Sequence, residues 1–584
     1  MRLQVEGCWV DAEGGEIGMR QAALGVDLCS DAGSCVWRVG HRRLAGNRRA
    51  RLGAVLAVAL PTGLTGLHAL FYGRWIVDDA AITFAFARSI ATGAGPVLQP
   101  GAVPVEGYSS PAWLVVLTVG RLLGLFDRGT WFGVPDYVIF PKVVALCCCA
   151  GIFACMYSAA LAVSGRPVLV TLVAGSVTAS VPSFVIWSFS GLENSLLGLA
   201  AVGIGAVLVR AAATGRLLAV PTAVTCGLLA GLAALTRPDG LIYAGAFPVA
   251  ALLLVRRDAV RRTVGMSMTS LGSFAVPVAP YLAWRLWTFD GYLPNTALAK
   301  SQGFPGWEAL ARPGELGGYI GGPAAMLTMV CIGAALVRPS RLCRALIVLL
   351  VPLGLSVVAF GVLKADWMAQ YRFATAVWPL GALAGTLAAA HVLPQLATGG
   401  RVLVVALAAA AAVVSGIGLA DSARVFRANP TVPLCMVAQE VGYNINAYAR
   451  IVGRPDATIL APDIGGAALT STLKIIDLAG LADARIAAYW HNKDWTGLRD
   501  YVFDQARPTF ITTHGYWSNT TGITQDPRMG ADYVQAGTDY WVRRDALDSP
   551  ARLVELRTYV AEVAAPKDAQ SQGAPRSSCG DSLR

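Results

Sequence analysis

Two adjacent acids, Asp78 and Asp79, stand where a long apolar segment (51–72) gives way to the run DDAAITFAFARSIATGAG. An ionisable side chain is costly in hydrocarbon, and two neighbouring carboxylates raise each other's pKa unless a cation or a substrate shares their charge. A carboxylate in such a place can take a proton from a hydroxyl as a general base, or help to hold a cation. The pair therefore predicts chemistry at a membrane surface. The structural alternative is that it caps a helix beginning at Ala80.

Composition indicates a polytopic membrane protein around this pair. The chain has 584 residues, of which 55% are hydrophobic and 14% charged, and its mean hydropathy is +0.54. A soluble core cannot absorb so much apolar surface. The net charge of +11 comes from arginines in short clusters between apolar runs, as in cytoplasmic loops, so nucleic-acid binding is not expected.

Eleven apolar runs have about the length of a membrane-spanning helix, roughly 17–25 residues. They lie near 51–72, 142–164, 168–188, 190–210, 217–235, 241–255, 264–287, 318–337, 343–363, 372–395 and 401–420. The arginine clusters fall on one side of this count, which the positive-inside rule makes cytoplasmic, together with the N-terminus. The shorter apolar run 111–126 is expected to form an interfacial or re-entrant helix, within a long first extracytoplasmic loop from about 74 to 141.

The two ends of the chain differ from this apolar part. Residues 1–50 are polar and arginine-bearing, and are expected to form a disordered cytoplasmic extension. Strand-like segments between 421 and 565 predict an extracytoplasmic α/β domain, and residues 566–584 a disordered tail. The aromatic and histidine side chains of that domain suit either sugar stacking or its own core: Tyr489, Trp490, His491, Trp495, His514, Tyr516 and Trp517.

The cysteines indicate packing rather than chemistry. Most lie inside apolar segments, and none forms a CxxC pair. Cys435 and Cys579 are the two in the polar C-terminal part, and a disulfide between them is not favoured because the segment around Cys579 has the composition of a disordered tail.

A series of motifs resembles a known family. In chain order they are DDAAITFAFARSIATGAGPVLQPG, VEGYSSPAW, SGLENSLL, ALTRPDG, GYLPNTALAKS, YRFATAVWPL and APDIGGAAL. Over residues 70–540 the chain is similar to integral-membrane glycosyltransferases of the GT-C superfamily. Within it, the chain resembles actinobacterial enzymes that add terminal β-1,2-linked arabinofuranose to cell-wall arabinan from decaprenyl-phosphoryl-arabinose. The resemblance implies a GT-C fold, an all-α polytopic domain with a long first extracytoplasmic loop, and places Asp78 and Asp79 at the reaction centre.

Such a transfer needs a base for the acceptor hydroxyl and a cation for the departing phosphate. Asp78 is the preferred base, and its neighbour would position the acceptor or hold a cation, since adjacent helical residues point about 100° apart. Arg372 is the first choice for the phosphate, because a guanidinium can bind two of its oxygens. Lys300 is the second choice. Helix anchoring at the interface is the alternative role for both.

Other polar residues of the motifs are candidates for binding substrate. They are Glu106 and Tyr108 on the first loop, Glu193, Arg237 with Asp239, and Asn295. Glu193 can bind a sugar hydroxyl, share a divalent ion with Asp79, or be a helix N-terminal acid. Arg237 and Asp239 flank Pro238 and can alternatively pair to structure a turn.

The sequence thus predicts an inverting, polyprenyl-phosphate-sugar-dependent pentosyltransferase of the plasma membrane, acting on an extracytoplasmic glycan. A mannosyl or other hexosyl transferase of the same architecture is the second interpretation, and a transporter of lipid-linked sugars the third. A cofactor is not required; carboxylates without a nearby histidine suit Mg²⁺, Mn²⁺ or Ca²⁺ if a metal takes part.

Overall fold

The computed structural model describes residues 2–5, 8–11, 41–300 and 305–572. The chain divides into two compact units, 1–52 and 53–584. In the first, strands β1 (Arg2–Val5) and β2 (Cys8–Asp11) form an antiparallel pair. The rest of the predicted extension up to residue 40, and residues 573–584 of the predicted tail, lie outside the described residues.

Apolar helices make up most of the second unit, beginning within α1. They are α1 (His41–Leu70), α2 (Asp78–Ala91), α3 (Pro111–Leu122), α4 (Asp136–Val163), α5 (Pro167–Ser180), α6 (Pro182–Ser188), α7 (Asn194–Ala213), α8 (Val220–Thr236), α9 (Ala246–Leu253), α10 (Val260–Phe289), α11 (Asn295–Ala299), α12 (Pro313–Tyr319), α13 (Gly322–Val337), α14 (Arg341–Val362), α15 (Val377–Val392) and α16 (Thr398–Ala428). A 3₁₀ helix, Pro238–Gly245, leads into α9.

Each of the eleven predicted spans coincides with helix, which confirms a membrane protein of many apolar helices. Within the described part of the chain, six helices are long and apolar enough to cross a membrane, or up to eight if each bent pair counts as one span. Helices α5 and α6 meet at a bend of 77°. The helical segment that ends with α12 and the following helix α13 meet at a bend of 105°. Proline at the start of α6 cannot continue the hydrogen bonds of α5, so the sharp break follows from sequence. The count of eleven spans and the sidedness of the loops stay predictions.

Residues 434–572 form an α/β layer. Its helices are α17 (Leu434–Val437), α18 (Asn444–Ile451), α19 (Gly465–Thr470), α20 (Ala484–Asn492), α21 (Trp495–Asp500), α22 (Gly515–Thr521), α23 (Pro527–Asp532), α24 (Pro550–Tyr559) and α25 (Ala565–Gln572). Outside this layer, strands β3 (Thr130–Trp131) and β4 (Val134–Pro135) form a two-stranded antiparallel sheet on the first predicted loop.

A five-stranded sheet is the centre of this layer. Its strands are β5 (Thr458–Ala461), β6 (Lys474–Asp477), β7 (Phe510–Thr512), β8 (Tyr533–Gly537) and β9 (Tyr540–Arg543), in the order β6-β5-β7-β9-β8. The first three pair in parallel, and β9 joins β7 and β8 antiparallel. The predicted strand segments are therefore present. Residues 53–584 form one compact unit, and its larger core cluster includes residues of both the apolar helices and this layer. The domain boundary at residue 421 stays a prediction.

One contact joins the loop before α2 to the start of this layer. Val77 and Pro433 form an antiparallel bridge, the N–H of Asp78 donates to the carbonyl of Val432 (2.9 Å), and the N–H of Leu434 donates to the carbonyl of Ile76 (2.9 Å). The paired acids are thereby attached to the C-terminal layer through the backbone.

Cys435 is buried and takes part in a disulfide. Cys579 lies outside the described residues, so the expectation about a Cys435–Cys579 disulfide stays a prediction. The compositional argument concerned the tail alone and carried no information about the environment of Cys435.

Candidate active site

A cavity of about 220 Å³ lies beside the N-terminal end of α2, and we call it the acidic chamber. Seven of the ten candidate residues line it: Asp79, Tyr108, Glu193, Arg237, Asp239, Lys300 and Arg372. They come from six separate motifs between positions 78 and 373, so the fold gathers most of the chemistry that the sequence singled out. Asp78, Glu106 and Asn295 are not on its wall, and each has a different role.

Asp79 is the acid that faces the acidic chamber. Its carboxylate lies 3.5 Å from the ammonium of Lys300, and the two side chains are 24% and 48% exposed. The pair is therefore open to solvent and to a ligand. Lys300 follows the short helix α11, which the motif PNTALA builds with proline before its first residue.

Asp78 faces the other way. It is buried, and its two carboxylate oxygens accept hydrogen bonds from the backbone N–H groups of Gly465 (3.0 Å) and Gly466 (2.7 Å), the first residues of α19. Burial, together with the charges of Asp463 and Asp79, raises the pKa of Asp78, while these two hydrogen bonds act against that shift. We call this contact the Asp78 clamp.

The clamp requires glycine. A Cβ on Gly465 would lie 2.0 Å from the carbonyl oxygen of Asp78, and one on Gly466 would lie 2.3 Å from that of Leu434. The alternative in which the acids cap their own helix is not seen, because Val77 is the N-cap of α2 and no side chain caps it. The adjacent acids thus have unequal surroundings, as their spacing predicted, with Asp79 on the cavity and Asp78 on the C-terminal layer.

Glu106 belongs to a buried ion pair that the sequence did not reveal. Its carboxylate lies 2.6 Å from Nε of Arg285, accepts a hydrogen bond from Nη2 of the same side chain (2.9 Å), and accepts another from the hydroxyl of Tyr281. Burial raises the pKa of Glu106, and Arg285 opposes the shift. Arg285 is the one charged residue of helix α10 after Arg262, and a charge within such an apolar stretch was the signal that could have identified it.

Asn295 connects the chamber wall to the C-terminal layer. Its amide donates to the carbonyls of Gly480 (2.6 Å) and Leu481 (3.0 Å), and its backbone N–H donates to the carbonyl of Glu106 (3.1 Å). Leu481 also lines the acidic chamber. The C-terminal layer is therefore part of the wall, and Asn295 holds that part in place.

The remaining cations of the chamber are paired with acids. Arg237 donates from Nε to Asp239 (2.8 Å), as the turn alternative predicted, and its Nη1 lies 3.6 Å from Glu193. Arg372 lies 2.8 Å from Asp366, a partner that sequence reasoning missed. Ion pairing therefore fixes the positions of these guanidinium groups, and the chamber wall carries three cations (Arg237, Lys300, Arg372) beside three carboxylates (Asp79, Glu193, Asp239).

A second cavity of about 440 Å³ shares Arg372 and Phe373 with the acidic chamber, and we call it the aromatic chamber. Its other lining residues are Arg312, Glu315, Tyr319, Phe360, Ala365, Asp366, Trp367, Met368, Ala369, Gln370, Tyr371 and Ser422. Arg372 is the one lining residue of the aromatic chamber that belongs to the predicted substrate-binding set.

The aromatic residues of the C-terminal layer contribute to a core of their own. Trp490, Trp495 and Trp517 pack against a buried cluster that includes Leu478 and Leu498. Trp490 also donates its indole N–H to the carbonyl of Leu478 (2.8 Å). This arrangement supports the core role for the tryptophans.

The carboxylates of the acidic chamber do not make a metal site. Across residues 41–300 and 305–572, no three histidine, cysteine or acidic side chains come together in a way that could hold an ion. Asp79 and Glu193 each have a side-chain cation within 3.6 Å, a donor set that fits an ion pair better than a divalent metal.

Comparisons with known proteins identify the fold. No family model matches the chain, and no curated protein matches its sequence. Among solved structures, ArnT from Cupriavidus metallidurans in the apo state matches with a TM-score of 0.50 and 15% identity, over 79% of this chain and 93% of that one. The apo oligosaccharyltransferase of Archaeoglobus fulgidus matches with a TM-score of 0.48 and 11% identity, over 78% and 69%. Both neighbours are glycosyltransferases of the GT-C fold, and the similarity to ArnT shows that this chain has that fold.

Proposed function

We propose that this protein is an inverting glycosyltransferase that moves a sugar from a polyprenyl phosphate to a hydroxyl of an extracytoplasmic glycan. The observation that carries the proposal is Asp79, a partly exposed carboxylate in a cavity that Lys300 and Arg372 also line. A base and cations for a phosphate are the two requirements of this chemistry. The GT-C fold supports the reaction class, and a neighbouring structure of ArnT is bound to undecaprenyl phosphate.

The geometry leads us to assign the base to Asp79 rather than to Asp78. Both oxygens of Asp78 already accept backbone N–H groups, whereas Asp79 is free to turn toward a hydroxyl in the cavity. Asp79 would take the proton of the acceptor hydroxyl as its oxygen attacks the anomeric carbon. The bond from that carbon to the phosphate oxygen breaks, and the phosphate keeps the electron pair.

Lys300 and Arg372 would stabilise the additional negative charge on the departing phosphate. Lys300 is the more mobile cation, being 48% exposed, and its ammonium can move from Asp79 to the phosphate. Arg372 is held in position by Asp366, so its guanidinium is already placed to donate hydrogen bonds to the phosphate. Direct attack inverts the configuration at the anomeric carbon.

For the sugar we propose arabinofuranose, delivered by decaprenyl-phosphoryl-arabinose to a cell-wall arabinan. This choice rests on the resemblance of the motif series. Tyr108, Glu193 and Asp239 line the chamber and can accept or donate hydrogen bonds to sugar hydroxyls. A hexosyl donor such as a mannosyl lipid phosphate is the alternative outcome of the assay below.

The test is a transfer assay with purified protein in detergent, polyprenyl-phosphoryl-arabinose and a synthetic arabinan acceptor. We expect the wild type to form an arabinoside, and Asp79→Asn to lose about 10²- to 10⁴-fold in rate, as for removal of a general base. Asp456→Asn, at an exposed acid away from the chamber, is the matched control. Product with a mannosyl donor alone would change the sugar. No product with any donor, together with movement of lipid-linked sugar across vesicles that contain the purified protein, would establish a transporter.

A further inference from the structure

The aromatic chamber is not used by the reaction described so far, although it is the larger of the two cavities. Its wall is made mainly by the segment 363–373, which connects α14 to α15. Arg372 and Phe373 line both cavities, so the two cavities are neighbours on either side of these side chains.

The backbone of this wall is strained. Gln370 and Tyr371 are consecutive non-glycine residues with φ of 66° and 50°, in the left-handed region. Non-glycine residues with such backbone angles persist only where the surrounding structure holds the backbone in place, and they concentrate at ligand sites. The strain therefore points to a site whose shape is maintained for a purpose.

Several hydrogen bonds hold the strained residues. The indole N–H of Trp187 donates to the carbonyls of Ala369 (3.1 Å) and Gln370 (3.0 Å). The side-chain oxygen of Gln370 accepts from the hydroxyls of Tyr319 (2.5 Å) and Ser422 (3.0 Å). The wall is thus preformed, and binding does not have to order it.

The chemistry of the lining suits a sugar. Two cations, Arg312 and Arg372, are balanced by Glu315 and Asp366, and the guanidinium of Arg312 is already bound to the carbonyls of Gly361 and Leu363. Carboxylates and guanidinium groups can accept hydrogen bonds from sugar hydroxyls and donate to them, respectively. Aromatic side chains in the same lining suit the C–H face of a sugar ring.

Trp367 supplies the exposed aromatic face. Its side chain is 61% exposed, whereas the neighbouring Met368 is buried. We propose that the aromatic chamber binds the sugar residues of the acceptor glycan next to the one that is glycosylated, with Trp367 as a stacking surface. This proposal rests on the proposed function, and it makes the aromatic chamber a determinant of acceptor length.

The proposal separates long acceptors from short ones. A single arabinofuranose glycoside fills only the acidic chamber, while a linear arabinofuranose oligosaccharide also reaches Trp367. We expect Trp367→Ala to raise the KM for the oligosaccharide about 3- to 10-fold, the effect of losing one aromatic contact. The KM for the donor and the rate with the single-residue glycoside should stay unchanged.

The matched control is Trp287→Ala, which removes a tryptophan that is 86% exposed at the end of α10 and lines neither cavity. Binding of the same two glycosides without donor is measured alongside, so that the result does not depend on transfer. Equal oligosaccharide affinity in wild type and Trp367→Ala overturns the acceptor site, even where Asp79-dependent transfer is intact. A raised donor KM in Trp367→Ala also overturns it, because the cavity would then hold the lipid donor. Loss of transfer in the wild type with every donor is a failure of the proposed function itself.

Discussion

Substituting Gly465 by alanine should break the Asp78 clamp without removing either acid. The new Cβ would lie 2.0 Å from the carbonyl oxygen of Asp78, about 1 Å inside the closest contact that a real Cβ makes. The backbone of α19 must therefore withdraw from α2. Both carboxylate oxygens of Asp78 lose the N–H groups that now lie at 2.7 and 3.0 Å.

The magnitude follows from the number and type of bonds. A hydrogen bond to a charged group contributes about 1.5–3 kcal/mol, so losing two gives about 3–6 kcal/mol as an upper range, since the clamp can relax. Asp78 is only 4% exposed, so water cannot fully replace the lost donors. We expect a lower unfolding temperature and a loss of transfer activity in the same variant.

The assay compares thermal unfolding in detergent with the rate of transfer. Gly530→Ala is the control, because that glycine lies in α23 of the same layer and an added Cβ there meets no atom within 4 Å. Asp78→Asn should reproduce the Gly465→Ala effect, and the double variant should be little worse than either single one, since both remove one contact.

Two results would refute this reasoning. One is a Gly465→Ala protein as stable and active as Gly530→Ala, which would mean that the contact positions nothing. The other is an Asp78→Asn protein that unfolds at the temperature of the wild type and yet loses as much transfer activity as Asp79→Asn, which would make Asp78 the base.

Three further outcomes are expected. Arg285→Met leaves the carboxylate of Glu106, 2% exposed, without its cation, and should cost about 3–5 kcal/mol by thermal unfolding, most of it recovered by adding Glu106→Leu. The hydrogen bond of His514 to Asp463 (2.8 Å) raises the pKa of His514. The stability that this pair adds to the folded protein is present below about pH 6.5 and is lost as the pH rises through the raised pKa. The unfolding temperature should therefore fall between about pH 6 and about pH 8, and it should fall less in His514→Gln. Cys435 should resist alkylation in unfolded protein until a reductant is added, as shown by intact mass.

The C-terminal layer is the clearest case of a feature that sequence predicted in kind but not in role. Short β-branched segments bounded by turn residues predicted the strands at 458–461 and 510–512. These segments carried no information about how the layer packs against the apolar helices. Gly465 bonds to Asp78, almost 400 positions away in the chain, and Gly480 bonds to Asn295, almost 200 positions away. Hydrogen bonds of such separation leave no periodic signal.

What the sequence by itself predicted correctly is a membrane protein of many apolar helices, and it also singled out most of the charged residues that line the acidic chamber. The length of each apolar run indicates a helix. Charged residues are costly next to such helices in a membrane, so the short polar motifs stood out as candidates. Asp79, Lys300 and Arg372 are among them. Only the tertiary structure decided which acid faces the cavity. Asp78 and Asp79 have the same chemistry and adjacent positions, and they differ because the backbone N–H groups of α19 approach one of them and an open chamber the other.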